Sequence, residues 1–92
     1  MFVRIWRARV DPARLDEYER FVEAHSRPMF ADQQGFLGAI FSRQGYEVAV
    51  LSFWRDEAAV RALQTSASYR RTATMVEETG LLHTVSAMNN CR

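Results

Sequence analysis

Two histidines and one arginine are the side chains in this sequence best suited to acid–base or anion chemistry. His25 and His83 are its only histidines. Imidazole has an ordinary pKa near neutrality, so His83, which is preferred, or His25 is a candidate general base. Arg4 stands among aromatic residues, where a guanidinium can bind a phenolate or another small anion. The structural alternatives are a helix-core role for His25 and an ion pair between subunits for Arg4.

Two tryptophans and two smaller apolar residues form a candidate binding surface. Strand alternation predicts that Trp6 and Trp54 share one sheet face with Phe2 and Val50. A concave site lined by such side chains suits a flat aromatic ligand. Alternatively, the two indoles fill the space themselves and support a subunit contact. Phe2, Trp6, Val50 and Trp54 are therefore the candidate substrate-binding residues.

The first third of the chain predicts a strand and a helix. Phe2–Val10 alternates as a strand does and has apolar residues on both sides, which is typical of a central strand. Asp11 is suited to the N-cap and Pro12 to the first helical position. Pro28 is expected to end or kink this helix, because the residue before a proline avoids the helical region. Gly35 is expected to act as the C-terminal stop.

The remainder predicts a hairpin, a broken helix and a final strand. Phe36–Ser42 and Glu47–Trp54 read as strands joined by a short glycine-containing connection. Asp56 is an N-cap for the second helix. The Thr- and Ser-rich residues 65–68 predict a kink or break in it, and Leu82–Met88 reads as the last strand.

The element order β-α-β-β-α-β predicts an α+β, ferredoxin-like domain over residues 1–92. Its antiparallel four-stranded sheet would carry two helices on one face. The other face is expected to be too apolar to remain in water. We expect that face to pack against a second copy, forming a homodimer with a cavity. The residues assigned to it are Phe2, Trp6, Val48, Val50 and Trp54.

Composition excludes several other classes of function. The chain has 92 residues, a hydrophobic fraction of 48% and a formal net charge of +1. No basic stripe indicates nucleic-acid binding, and no apolar run is long enough to span a membrane. The single cysteine, Cys91, has no internal disulfide partner, and no paired spacing of metal ligands is present. We expect a cytoplasmic protein without a targeting segment, metal or other cofactor.

Three stretches carry a resemblance to a known family: FVRIWRARVDP, QQGFLGAIFS, and LSFWRDEAAVRAL followed by SASYRRTA. Together they resemble the antibiotic-biosynthesis-monooxygenase family of dimeric α+β barrels. The resemblance implies a cofactor-free oxygenase acting on a phenol, anthrone or quinol. His83, His25 or water would deprotonate the substrate, and Arg4 would stabilise anionic intermediates. The alternative is a non-catalytic homodimeric module that binds a small ligand or supports assembly.

Two branches of the family differ from this sequence at their functional positions. The positions of the Asn, Trp and His of haem-degrading members hold Trp6, Leu63 and Ala73, so haem degradation is not expected. The anthrone-oxidising branch has an asparagine where this sequence has Val50, whereas its tryptophan is retained as Trp54. The resemblance therefore implies oxygenase chemistry in general more strongly than it implies the functional residues of either branch.

Overall fold

Four antiparallel strands form one sheet in the order β2-β3-β1-β4. The computed structural model describes the backbone of residues 1–91 and the side chains of residues 1–87, so the Cys91 side chain lies outside the described residues. The two central strands pair from Phe2 opposite Trp54 to Arg9 opposite Glu47. This topology confirms the ferredoxin-like α+β prediction. The strands are β1 (Phe2–Val10), β2 (Phe36–Gln44), β3 (Glu47–Trp54) and β4 (Leu82–Cys91).

Two helical runs cover one face of this sheet. The first comprises a 3₁₀ turn (Pro12–Arg14), α1 (Leu15–Phe21), a π-helical segment (Val22–Ser26) and α2 (Arg27–Ala31). The second comprises α3 (Glu57–Thr65) and α4 (Ala67–Thr79). In the described part of the chain, no helix has the length and apolarity to cross a membrane.

The first helical run begins where the sequence predicts but does not stop at its proline. The Asp11 carboxylate accepts a hydrogen bond of 3.0 Å from the Ala13 backbone N–H. Pro28 lies inside α2, directly after the π-helical segment. The wider π turn accommodates an irregular hydrogen-bond ladder, so the helical course continues past the proline. It ends before Gly35, whose φ of 79° requires the left-handed region.

Side-chain hydrogen bonds cap the N-termini of both helices of the second run. The Asp56 carboxylate accepts from the Ala59 backbone N–H over 2.9 Å and begins α3. Ser66 has an extended backbone, which breaks the run as predicted, and its hydroxyl accepts from the Tyr69 backbone N–H over 3.3 Å to begin α4. Gly80, with a φ of 71°, ends α4. The Ser66 cap therefore fixes the residue at which α4 begins and places Tyr69 in its first turn.

The prediction of which sheet face the helices cover is wrong. The face carrying Val48, Val50 and Trp54 lies beneath the helices and is buried. The reason is that β1 and β3 are apolar on both sides, so alternation separates the two faces without identifying the covered one. The opposite face, here called the open face, carries Val3, Ile5, Ile40, Leu51 and Phe53.

The core beneath the helices consists of two clusters. One is centred on Trp54, Leu63 and Phe30, and the other on Val10, Tyr18 and Leu81. Trp6 and Phe41 pack against both clusters. The space between the clusters is where the structure leaves a cavity.

Candidate functional site

A cavity of about 200 Å³ lies between the sheet and the helices. Its walls are mainly apolar and aromatic, which is the usual character of a small-molecule site. The sheet contributes Arg4, Trp6, Phe41 and Val50; the first helical run contributes Tyr18, Phe21, Val22, Met29 and Phe30; and α4 contributes Tyr69, Thr72, Ala73 and Val76. Glu77 and Val85 also line the cavity and are exposed, so they mark its opening to solvent.

Arg4 is the one fixed positive charge among the described lining residues, and the residue is only 4% exposed. Its Nη2 atom donates a hydrogen bond of 2.6 Å to the Tyr69 hydroxyl. Among the described residues, its buried Nε atom has no hydrogen-bond partner and no carboxylate forms an ion pair with the guanidinium. A buried cation without an anion is costly, so the site is electrostatically suited to an anionic ligand.

Tyr69 reaches Arg4 because two hydrogen-bonded contacts fix the start of α4. Ser66 caps the helix and places Tyr69 in its first turn. The Gln33 amide donates to the Ser68 hydroxyl over 3.0 Å and to the Met29 carbonyl over 3.1 Å, which ties α4 to the end of α2. The Tyr69 ring also lies against the guanidinium, with 5.2 Å between the ring centroid and the Arg4 carbon Cζ.

Trp54 lies behind the cavity. Its side chain is 0% exposed, does not line the cavity and packs against Phe30 and Phe36. The indole N–H donates to the Ser52 hydroxyl over 2.9 Å, and that hydroxyl donates to the Arg4 carbonyl over 3.4 Å. The predicted contact of Trp54 with a ligand has no support in this placement. The indole instead supports the strand position that carries Arg4.

Neither histidine lies in the cavity. His25 is exposed on the π-helical segment, with its ring centroid 4.9 Å from that of Phe21. The β1–β4 pairing shifts between Arg9–Thr84 and Val10–Leu82, so His83 is the extra residue of a bulge. It is exposed there, with Nε2 3.9 Å from the Asp11 carboxylate. These positions give no support to either histidine as a base acting on a ligand in this cavity.

Tyr18 is the second tyrosine of the lining. Burial, with a smaller effect from the nearby Glu19 charge, raises the pKa of the Tyr18 phenol to about 12. The phenol therefore stays protonated at neutral pH and cannot act as a general base there. It can donate a hydrogen bond to a ligand oxygen or accept a hydrogen bond.

Three of the site residues predicted from the sequence line the cavity, and one partner of Arg4 was not predicted. Arg4, Trp6 and Val50 line the cavity, whereas Phe2 packs in the cluster around Trp54 without lining it. The sequence predicts that Tyr69, Arg70 and Arg71 form a solvated helix face, with a role at the cavity mouth as the alternative. A signal was available, because the Ser66 cap sets the helix phase and residues 69, 72, 73 and 76 then follow the i, i+3, i+4, i+7 pattern of one face.

The sheet order and the cavity beneath its helices define a ferredoxin-like α+β domain with an internal, mainly apolar cavity. The chain belongs to the antibiotic biosynthesis monooxygenase family, whose sequence profile matches residues 1–75. This confirms the resemblance that the sequence predicts. No curated protein matches the chain in sequence.

Solved structures share the fold across nearly the whole chain. SnoaB from Streptomyces nogalater, a cofactor-independent oxygenase, is similar with 22% identity and a TM-score of 0.79, covering 99% of this chain and 91% of that one. Rv0793 from Mycobacterium tuberculosis gives 18% identity and a TM-score of 0.79, with 99% and 93% covered. A Deinococcus radiodurans protein gives 8% identity and a TM-score of 0.84, with 100% and 92% covered. At these identities the likeness establishes the fold.

Proposed function

We propose that this protein is a cofactor-free monooxygenase that oxidises an electron-rich aromatic, such as a phenol, anthrone or quinol, with O₂. The observation that carries the proposal is the buried Arg4 guanidinium at the wall of an aromatic cavity, with no described hydrogen-bond partner for its Nε. Family membership supports monooxygenase chemistry. SnoaB, which shares the fold, is itself a cofactor-independent oxygenase.

The first step is ionisation of the substrate hydroxyl beside Arg4. An opposite charge within hydrogen-bond distance lowers the pKa of an acid by roughly 1–3 units, and a free phenol has a pKa of about 10. The arginine therefore brings the phenol closer to ionisation at neutral pH. The proton leaves to water through the opening at Glu77 and Val85. No histidine needs to lie in the cavity for this step.

The later steps need only the substrate and O₂. The phenolate gives one electron to O₂, and the aryloxyl radical and superoxide combine to form a carbon–oxygen bond at the ring. The resulting peroxide takes up a proton and loses water, which leaves a quinone. The substrate loses four electrons in total, one oxygen atom enters the product and the other leaves as water. Trp6 and Phe41 hold the ring, and the apolar walls limit the access of water to the radical pair.

The partner we propose is a second copy of the chain, packed on the open face. Val3, Ile5, Ile40, Leu51 and Phe53 form its apolar part, and Ile40 is 53% exposed in the single chain. A contiguous apolar patch of this kind is typical of an interaction surface. The polar end of the same face carries Arg7, Arg9, Ser42 and Glu47, which supplies a polar rim.

Oxygen uptake by the purified, chelator-treated protein tests the proposed function. An oxygen electrode would follow the protein with hydroxynaphthalenes, hydroquinones and anthrones in turn. We expect uptake, above the spontaneous rate, with at least one of these compounds and no dependence on added metal, flavin or haem. The proposal would be contradicted if no compound of the panel gave uptake, or if uptake occurred only after a cofactor was added.

A non-catalytic ligand-binding module is the second candidate function. It is favoured by the location of both histidines outside the cavity and by the high pKa of Tyr18, because none of these three residues then supplies a general base to the cavity at neutral pH. Saturable binding of an aromatic compound that is never turned over would favour this candidate.

A further inference from the structure

We infer that Arg4 Nε and the Tyr69 hydroxyl form a two-donor site for the single ionised oxygen of a phenol with one or two rings. This inference rests on the proposed function, because it names the substrate class of the same cavity. It differs from that function in what it specifies: which atoms bind the oxygen, and how large the ring system can be.

The first donor is the Nε–H group of Arg4. Its guanidinium is nine-tenths buried or more, and the Nε hydrogen has no acceptor among the residues that the structure describes. A buried donor left unsatisfied destabilises the protein, and a charged one does so more strongly. Such a group is retained where a ligand supplies the missing acceptor. An ionised oxygen supplies both the acceptor and the compensating negative charge.

The second donor follows from the direction of the Arg4–Tyr69 hydrogen bond. Arg4 has only donors, so the Tyr69 oxygen must be the acceptor over the 2.6 Å separation. The hydroxyl hydrogen of Tyr69 is then left over, and no described atom accepts it. Both residues line the cavity. Polarisation by the cation makes the hydroxyl a better donor toward the same ligand oxygen.

The volume of the cavity limits the ring system. An engineered protein cavity of about 150 Å³ accommodates benzene. A cavity of about 200 Å³ therefore suits a substituted single ring or a compact two-ring system. Three fused rings exceed this volume unless the walls move. Since Trp6, Phe30 and Phe41 each belong to or pack against a core cluster, such a movement would disturb the core.

Calorimetric titration without oxygen tests the binding site separately from catalysis. The ligands are 1-naphthol, 1-methylnaphthalene as the uncharged control, 1-naphthoate as the carboxylate and anthrone as the three-ring compound. We expect 1-naphthol to bind most tightly. Repeating the titration in two buffers of different ionisation enthalpy should show the release of about one proton for each naphthol bound, since it binds as the phenolate.

Two substitutions remove one donor each. Tyr69→Phe keeps the ring, and Arg4→Met keeps the length of the side chain without charge. A hydrogen bond to a charged group contributes about 1.5–3 kcal/mol, so each change should weaken naphthol binding by about tenfold to a hundredfold. Neither should weaken the binding of 1-methylnaphthalene. Tyr46→Phe and Arg70→Met, at exposed positions outside the cavity, are the matched controls and should change nothing.

The outcomes separate this inference from the proposed function. Naphthol binding that depends on Arg4 and Tyr69, without oxygen uptake, would support the site and contradict the oxygenase. Oxygen uptake with naphthol affinity unchanged in both variants would overturn the site and leave the oxygenase standing. Naphthoate binding more tightly than naphthol would overturn the phenolate assignment, and anthrone binding as tightly as naphthol would overturn the size limit.

Discussion

The Arg4 Nη2 atom lies 2.6 Å from the Tyr69 hydroxyl oxygen, although the two residues are 65 positions apart in the chain. One belongs to the central strand β1 and the other to the first turn of α4. Their contact joins the sheet to the helix across the cavity and orients the only buried guanidinium of the described side chains toward it. The chemistry of the site therefore depends on how α4 docks on the sheet.

Replacing Arg4 by methionine should stabilise the empty protein. The substitution removes a buried cation that lacks an anion, and an unbranched apolar side chain of similar length fills the space. Replacing buried charges by apolar residues is often neutral or stabilising by about 1–4 kcal/mol. We expect urea unfolding to give a free energy of unfolding higher by about 1 kcal/mol or more, with activity lost. A decrease of several kcal/mol would show that the charge stabilises the fold.

Ser52→Ala should destabilise the fold because it leaves the Trp54 indole N–H without an acceptor. Both residues are buried, and the Trp54–Ser52 hydrogen bond measures 2.9 Å. An unsatisfied buried donor costs about 1–3 kcal/mol. Thermal and urea unfolding would measure this loss. Thr74→Ala, at an exposed position of α4 away from the open face, is the control and should not lower the free energy of unfolding. Equal effects of the two changes would contradict the structural role of Ser52.

Tyr18 should make the protein less stable at high pH. Burial raises the folded-state pKa of the phenol from 10.0 to about 12. A group whose folded pKa is raised contributes stability that is fully present below the unfolded pKa, so this contribution should be lost between pH 10 and about pH 12. The loss amounts to about 2–3 kcal/mol at 1.36 kcal/mol per pKa unit.

Unfolding of wild type and Tyr18→Phe below pH 10 and near pH 12 would measure that contribution. The variant should show a smaller decline with pH than the wild type. Tyr46→Phe, at an exposed hairpin position, should decline as the wild type does. A Tyr18→Phe decline equal to that of the wild type would show that Tyr18 ionises normally.

A charge on the open face should prevent dimer formation. Leu51 lies in the apolar part of that face, so a glutamate there would place two carboxylates in the proposed interface. Light scattering should give twice the chain mass of 10.6 kDa for the wild type and the single-chain mass for Leu51→Glu. Ala62→Glu, on the exposed side of α3, should remain dimeric. A monomeric wild type at micromolar concentration would contradict the proposed interface.

Local signals in the sequence were sufficient to predict the order of the helices and strands. Asp11 and Asp56 cap helices with their own carboxylates, and Gly80 ends α4, as predicted from residue type alone. The sheet face that the helices cover was not predictable from such local signals. Trp6 and Ile5 are neighbours on opposite faces, both apolar, and only the packing of the helices distinguishes them.

The site was partly predictable for a related reason. Strand alternation was enough to place Arg4 and Trp6 together. The partner of Arg4 was not evident, since Tyr69 reaches it only through the docking of α4. His83 could not be oriented from sequence because its direction depends on the bulge between β1 and β4. The spacing of residues 69, 72, 73 and 76 indicates one face of α4, but long-range packing decides which strand residue that face meets.

The fate of labelled oxygen tests the central claim most directly. The purified protein would be given ¹⁸O₂ and the best phenolic substrate, with the quinone and the water analysed by mass spectrometry. A cofactor-free monooxygenase should place one labelled atom in the quinone and the other in water, at one O₂ per substrate and without added reductant. A product without label, or stoichiometric hydrogen peroxide in place of labelled water, would contradict the monooxygenase assignment.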